Sequence, residues 1–294
     1  PIYLQQENSL ANHHILRIGS VTKIYTSVLI LKLIELDYIG LEQKLSDFYP
    51  ECDNVKDVTV KNLLNHSSGI TDVFDMPGVF ISASNFPDKQ WDPEQLAKAC
   101  MEKDLKFSPG SEHAYSNTNF IILGLIAEKA TGKKLTELFS EYLFQPNNLN
   151  DTHLIPYMET PSALVNGYVH HFALSLKGWY VNEPDNTSWA TIGFTAGAMA
   201  ANSSDLSAFI HRLFSGEIIS ENSLQLMTSF SGKYGLGLFK INVNDHYYYG
   251  HEGEITGFES IAAYNPETKV VITICCNTTP FSISELLTKI DAEL

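Results

Sequence analysis

The sequence predicts an α+β fold: an antiparallel β-sheet flanked by helices, accompanied by a mainly helical lobe. Three observations carry this. Helical periodicity runs strongly through residues 20–38 and 119–131, an irregular stretch occupies 146–190, and after residue 230 β-branched and aromatic segments alternate with turn residues.

Residues 1–19 read as the end of a strand and a short loop. In 20–38, Val21, Ile24, Tyr25, Val28, Leu31 and Leu36 recur at helical spacing, and Gly40 is the expected stop. Residues 57–70 read as a short helix ending at Gly69. Residues 71–92, with Pro77, Gly78 and Pro87, read as loop, and 93–103 as helix. A turn at Phe107-Ser108-Pro109-Gly110 precedes the helix expected over 119–131, which Gly132 stops. The stretch 146–190 is rich in Pro, Asn, Gly and aromatics, and an excursion of that length is usually functional or a lid. A helix is expected over 203–213. Strands follow over 234–241, 246–250, 257–264 and 269–277, with a reverse turn at Asn265-Pro266-Glu267-Thr268 and a closing helix over 282–294. The 294 residues fit one domain with two lobes, the helical lobe at about 40–200 lying between the first helix and the sheet strands at about 230–280.

Composition narrows the functions. Net charge is −15, from 34 acidic and 19 basic residues, a field that repels phosphate backbones and anionic lipid and so argues against a nucleic-acid partner. The apolar runs are too short for a transmembrane segment. Cys52, Cys100, Cys275 and Cys276 show no C-x-x-C spacing, which argues against a zinc site and a disulfide scaffold. His13-His14 and His170-His171 lack the carboxylate spacing of a metal site, so no metal or cofactor is expected. No G-x-S-x-G and no Gly-rich phosphate loop occurs. The chain starts at Pro1 without a visible signal peptide, so a leader or further N-terminal sequence is expected to have preceded it.

Three patches carry chemistry. Ser20-Val21-Thr22-Lys23 sets a hydroxyl and an amine three residues apart at a helix start, on one face, where a neutral amine can take the serine proton and free N–H groups suit an oxyanion. Tyr115-Ser116-Asn117 offers a phenol that relays protons and a carboxamide that donates and accepts. A second match to this pattern is Tyr180-Val181-Asn182. His251-Glu252-Gly253 lies in the strand region. There a glycine on an edge strand admits a ligand backbone, and Glu254 offers its N–H.

Taken in order, Arg17-Ile18-Gly19-Ser20-Val21-Thr22-Lys23, Leu63-Leu64-Asn65-His66-Ser67-Ser68-Gly69-Ile70, Tyr115-Ser116-Asn117-Thr118-Asn119-Phe120, Thr195-Ala196-Gly197 with Ser204-Asp205-Leu206, and Tyr249-Gly250-His251-Glu252-Gly253 resemble the class C β-lactamase and D-alanyl-D-alanine carboxypeptidase family of the penicillin-binding superfamily. The resemblance implies a β-lactamase/transpeptidase-like fold and a serine hydrolase forming an acyl-enzyme on a peptide, amide, ester or β-lactam. D-aminopeptidase, D-amino-acid amidase and carboxylesterase are alternatives on the same fold, and a non-hydrolytic sensor or binding module is a third. It also implies roles. Ser20 is acylated, Lys23 and Tyr115 share its proton, Asn117 holds the substrate amide, and His251 polarises Tyr115 and the ligand in place of a lysine. The N–H groups of Ser20 and Glu254 form the oxyanion hole. Trp189 is expected to line the cleft, His66 and Ser67 to stabilise a turn, and the setting to be periplasmic or secreted.

Three departures from that family modify the expectation. Only 19 residues precede Ser20, so N-terminal elements and part of the sheet are expected to be missing. Glu252 and Glu254 stand where the carboxypeptidases carry threonines, and Phe239 where they carry an arginine, with Lys240 as a partial substitute. Two carboxylates would repel a substrate carboxylate, which points to a substrate with a neutral or cationic end near Glu252 and Glu254.

Overall fold

A computed structural model describes residues 10–171, 179–183, 186–279 and 281–294. Strand β1 (Leu16–Arg17) leads into a tight 3-10 turn at Gly19–Val21 and then α1 (Thr22–Glu35). The helix therefore begins just after Ser20, and it ends at Glu35, before the expected Gly40, because Asp37 takes the left-handed conformation at φ 59°. Eleven of its fourteen residues are buried, so α1 is the central helix of the molecule and not an amphipathic surface helix.

The helix expected over 57–70 is confined to α2 (Val60–Leu64). Thr59 and Asn62 cap its start reciprocally, and His66 (φ 57°) and Gly69 (φ 76°) turn the chain away. The stretch read as loop contains α3 (Val79–Asn85). Helices α4 (Pro93–Met101) and α5 (Asn117–Thr131) follow, with Gly132 in the left-handed conformation ending α5 as expected. Helix α5 starts two residues early, so Asn117 is its first residue and Ser116 its N-cap. After α6 (Leu135–Phe139), the stretch 146–190, expected to be irregular, holds β2 (Thr152–Leu154), β3 (Gly167–His171), β4 (Trp179–Glu183) and the first residues of α7 (Thr187–Gly197). Pairing partners distant in sequence supply the order there, as in β5 (Met199–Ala201), which pairs with both β1 and β2. The second Tyr-x-Asn match lies in β4 and His170-His171 in β3, but the side chains of both lie outside the described residues.

Helices α8 (Ser203–Phe214) and α9 (Glu221–Met227) lead into an antiparallel sheet ordered β6 (Phe239–Val243), β7 (His246–Ile255), β8 (Phe258–Tyr264), β9 (Val271–Cys276). The chain continues through β10 (Thr278–Thr279), which pairs parallel with β3, to α10 (Ile283–Asp291). Strand β7 runs five residues past the expected end at Gly250 and carries His251-Glu252-Gly253 within it.

Two cores flank this sheet. On one face Tyr248, Ile261, Ala263 and Ile272 pack against Ile283 and Leu287 of α10. Ala262 on the other face joins the large core of α1, α5 and α7. No helix among the described residues is long and apolar enough to cross a membrane.

Candidate active site

The three sequence-distant patches meet around Ser20. Lys23 Nζ lies 2.9 Å from Ser20 Oγ, and the Tyr115 hydroxyl donates to the same oxygen at 3.1 Å. Lys23 is fully buried, yet its nitrogen meets three oxygens: Ser20 Oγ, Asn117 Oδ1 at 2.9 Å and the Ala196 carbonyl at 2.7 Å. Burial lowers its pKa from the ordinary 10.5 to about 7, against the pull of Asp72, which raises it. A neutral amine has two N–H groups and one lone pair. The two carbonyl oxygens can only accept, so the N–H groups belong to them and the lone pair faces Ser20.

That arrangement depends on which way the Asn117 amide points, and Asp72 decides it. Asp72 Oδ2 accepts from both the backbone N–H and the Nδ2 of Asn117, which turns Oδ1 toward Lys23 and leaves one amide N–H for a substrate. Ala196 is presented by a break in α7, where Phe194 adopts φ 41° and ψ −126°. Thr195 anchors the break, donating to the Phe120 carbonyl at 2.7 Å and accepting at its own carbonyl from Thr26 at 2.7 Å.

Burial pushes the Tyr115 phenol above its ordinary range, so Tyr115 stays protonated and serves as a donor. The resemblance implied that Lys23 and Tyr115 share the Ser20 proton, and the lowered amine beside the raised phenol sets the two groups apart. The expectation that His66 only stabilises a turn is too narrow. His66 is buried, its Nδ1 accepts from the Ser116 N–H at 3.2 Å, and its ring lies 4.3 Å from that of Tyr115, so it holds the Tyr115–Asn117 loop in place. Ser67 does stabilise the turn, through Asn65 and Asn62.

Strand β7 closes the site. Beyond the Phe239↔Gly250 pair β6 does not continue, so residues 251–255 are an edge on one side, as a substrate-facing glycine requires. Gly253 spends its freedom on the protein instead. A Cβ there would stand 2.1 Å from the Ile18 carbonyl oxygen, so glycine is what lets β7 approach the Ser20 turn. The same contact brings the Glu254 backbone nitrogen to within 2.7 Å of where a Cβ on Gly19 would stand (φ 47°).

The side chains of Glu252 and Glu254 do not line the cleft. Strand alternation puts His251 and Gly253 on the inner face and both glutamates on the other. Both are exposed, and Glu252 accepts from Ser284 of α10 at 3.0 Å. Nor does Lys240 replace an arginine. Its ammonium sits 4.1 Å from the Tyr247 ring centroid, and Tyr247 lies four residues, roughly 13 Å, along β7 from His251.

His251 is buried and its pKa is lowered to about 3, first by burial and then by Lys23, so it is not the cation that a lysine there would be. Its Nε2 meets Tyr234 at 3.2 Å, and its ring centroid is 6.1 Å from that of Tyr115. Both ring nitrogens of His251 thus have partners other than Tyr115. Phe239 does line the site, 6.3 Å from the Tyr115 ring and 4.9 Å from the His251 ring. Trp189 is half-buried and packs 5.8 Å from Phe74 and 5.3 Å from Phe80, forming an aromatic wall two residues from Asp72.

Asp72 and Tyr234 were not singled out from the sequence, and Ala196 stood there only as part of Thr195-Ala196-Gly197, with no role given to its carbonyl. Asp72 shares its stretch with Thr71 and Asp75, so nothing in the sequence marks it out, and a backbone carbonyl leaves no sign either.

The model of the family described as Beta-lactamase matches residues 4–291. The chain belongs to the beta-lactamase family. Its relatives include the D-alanyl-D-alanine-carboxypeptidase/endopeptidase AmpH of Escherichia coli (strain K12), 33% identical over 48% of this chain and 37% of that protein. Penicillin-binding protein 4* of Bacillus subtilis (strain 168) is 25% identical over 75% of this chain and 49% of that protein. The matches thus span between about a third and a half of these curated relatives' length. Among solved structures, a D-stereospecific amidohydrolase from Streptomyces sp. superimposes with a TM-score of 0.84 at 26% identity, covering 96% of this chain and 86% of that one. The D-amino acid amidase of Ochrobactrum anthropi SV3 shares the beta-lactamase-family fold, with a TM-score of 0.81 at 23% identity over 97% of this chain and 86% of its own.

Proposed function

We propose that the protein is a serine hydrolase that forms an acyl-enzyme at Ser20 on an amide or ester whose end near β7 is neutral. One observation carries the chemistry: Lys23 Nζ sits 2.9 Å from Ser20 Oγ while two oxygens that can only accept, Asn117 Oδ1 and the Ala196 carbonyl, engage it, so the neutral amine keeps its lone pair for Ser20. Lys23 takes the Ser20 proton as Oγ bonds to the carbonyl carbon. The oxyanion forms against the backbone N–H groups of Ser20 and Glu254, each such donor being worth about 2.7–4 kcal/mol of barrier. When the carbon–nitrogen or carbon–oxygen bond breaks, Tyr115 delivers a proton to the leaving group, and the Lys23 ammonium replaces it. Water then attacks the ester with Lys23 again accepting the proton, and Lys23 returns it to Ser20 Oγ as the bond between that oxygen and the acyl carbon breaks and the acid leaves.

The substrate class follows from where charges are not placed. Phe239 occupies the position expected of an arginine, Lys240 rests on Tyr247, and His251 is held neutral, so none of these three supplies a cation for a carboxylate there. The outward-facing glutamates remove the case for a cationic end. The likeness to the Streptomyces amidohydrolase supports an amide, with Trp189, Phe74 and Phe80 beside an apolar acyl group. A periplasmic or secreted setting belongs to the same proposal. Turnover should be measured on a D-Ala-D-Ala peptide, a D-amino-acid amide, a cephalosporin and a p-nitrophenyl ester, with Ser20→Ala as control. Preference for the amide or ester is the expected result. Preference for the carboxylate-bearing peptide or cephalosporin would overturn the neutral-end assignment, and no turnover of any would favour a binding or sensor module.

A further inference from the structure

We propose that Tyr234 is a positioning residue that locks His251 in one tautomer, with the proton on Nδ1 and with Nε2 as an acceptor only. The third motif then lends the cleft a fixed imidazole face and no transferable proton. The inference deepens the acyl-enzyme proposal above and rests on it.

The tautomer follows from the two partners of the ring. Nδ1 of His251 contacts the Glu252 backbone carbonyl, which can only accept, so Nδ1 carries the proton. Nε2 lies 3.2 Å from the Tyr234 hydroxyl. Either that hydroxyl donates to a lone pair, or an imidazolium donates to the phenol oxygen. The second arrangement puts an uncompensated positive charge on a buried ring, His251 being 2% and Tyr234 1% exposed. Tyr234 therefore donates. Burial and Lys23 push the imidazole down in the same direction.

Tyr234 is itself held on several sides. Its backbone bridges to Ser231 and Phe239, and its ring packs 4.5 Å from Phe239 and 4.7 Å from His66. It acts on the reaction through His251, whose ring, with Phe239, walls the space beside Tyr115. The titratable groups facing this imidazole are Lys23 from α1, Tyr115 from the loop before α5, His66 from the turn after α2 and Tyr234 itself. The Glu252 carboxylate lies on the opposite face of β7.

The test is an imidazole nitrogen spectrum of the intact protein without substrate, recorded between about pH 5 and pH 9, on wild type and Tyr234→Phe. Wild-type His251 is expected to show a protonated Nδ1 and a bare Nε2 throughout. In the variant, Nε2 loses its donor, so its signal should shift and the other tautomer should become populated. The kcat/KM plateau should fall about three- to tenfold. A wild-type spectrum with the proton on Nε2, or with His251 titrating near neutrality, would overturn the proposal. So would a folded variant whose His251 signals match wild type. The wild-type spectrum needs no variant to fold. Labelling of Ser20 by a fluorophosphonate, scored separately, shows whether the acyl-enzyme proposal stands when the tautomer does not.

Discussion

Asp72 accepts from the backbone N–H and the side-chain amide of Asn117 with a single carboxylate oxygen, and this contact decides which face of the amide Lys23 meets. Replacing Asp72 with alanine frees the amide to rotate and removes the charge that raises the Lys23 pKa. Two effects are expected together. The kcat/KM should fall about 10- to 100-fold, the scale of one hydrogen bond to a charged group. Its acid limb should also move to lower pH, because Lys23 then gives up its proton more easily. An acid limb that stayed in place would show that Asp72 does not act on Lys23.

The pH profile of the unmodified protein tests the base directly. Lys23 must be neutral to accept the Ser20 proton, so kcat/KM should rise with pH through about 7 and then level off. Tyr115 is held above the ordinary phenol range, so the plateau should not bend down below about pH 10. A profile already flat from pH 5 upward would point to a base of much lower pKa.

Gly253 tests how closely β7 must approach the nucleophile. A methyl there meets the Ile18 carbonyl oxygen at 2.1 Å and Ser260 Oγ at 2.6 Å, and the main-chain oxygen cannot step aside as a flexible side chain would. Gly253→Ala should therefore cost about 1–3 kcal/mol in urea denaturation and depress kcat by displacing Glu254. A variant with wild-type stability and turnover would mean that the strand has room to spare.

Far from the cleft, Asp291 at the end of α10 accepts from Tyr248 at 2.5 Å, Asn244 at 2.7 Å and His246 at 2.9 Å. The hydrogen bond with Asp291 raises the His246 pKa above its ordinary 6.5, so that contribution is complete below 6.5 and is lost as pH rises through the raised value. Burial would raise Asp291, but its three hydrogen bonds outweigh that and lower it below 3.8, so its contribution is present above 3.8 and is lost as pH falls through the lowered value. The latch is thus strongest between about pH 4 and 6.5. Asp291→Asn should lower the melting temperature most in that window. An equal loss at every pH would leave only a packing role.

The parts of this fold legible in the sequence were those with local signatures. Helix α5 announced itself through its apolar spacing and Gly132, and β8 and β9 through β-branched and aromatic residues between turns. Strands β2 and β5 did not, because each is three residues long and is held by partners far along the chain. The site shows the same division. Ser20, Lys23, Tyr115 and Asn117 stood out by their spacing and converge as expected. The directions of Glu252 and Glu254 required knowing that β7 runs on through them with His251 facing inward, which the strand expected to end at Gly250 concealed. Asp72 and Tyr234 act through other side chains, and such roles carry no spacing of their own.

The central claim is that Ser20 is a nucleophile activated by a neutral Lys23. Mass spectrometry after exposure to a fluorophosphonate measures this most directly. The expected result is one adduct mapped to Ser20, abolished in Ser20→Ala and strongly slowed in Lys23→Ala, with a labelling rate that rises through about pH 7. An unlabelled Ser20 in the folded protein, or equal labelling with and without Lys23, would contradict it.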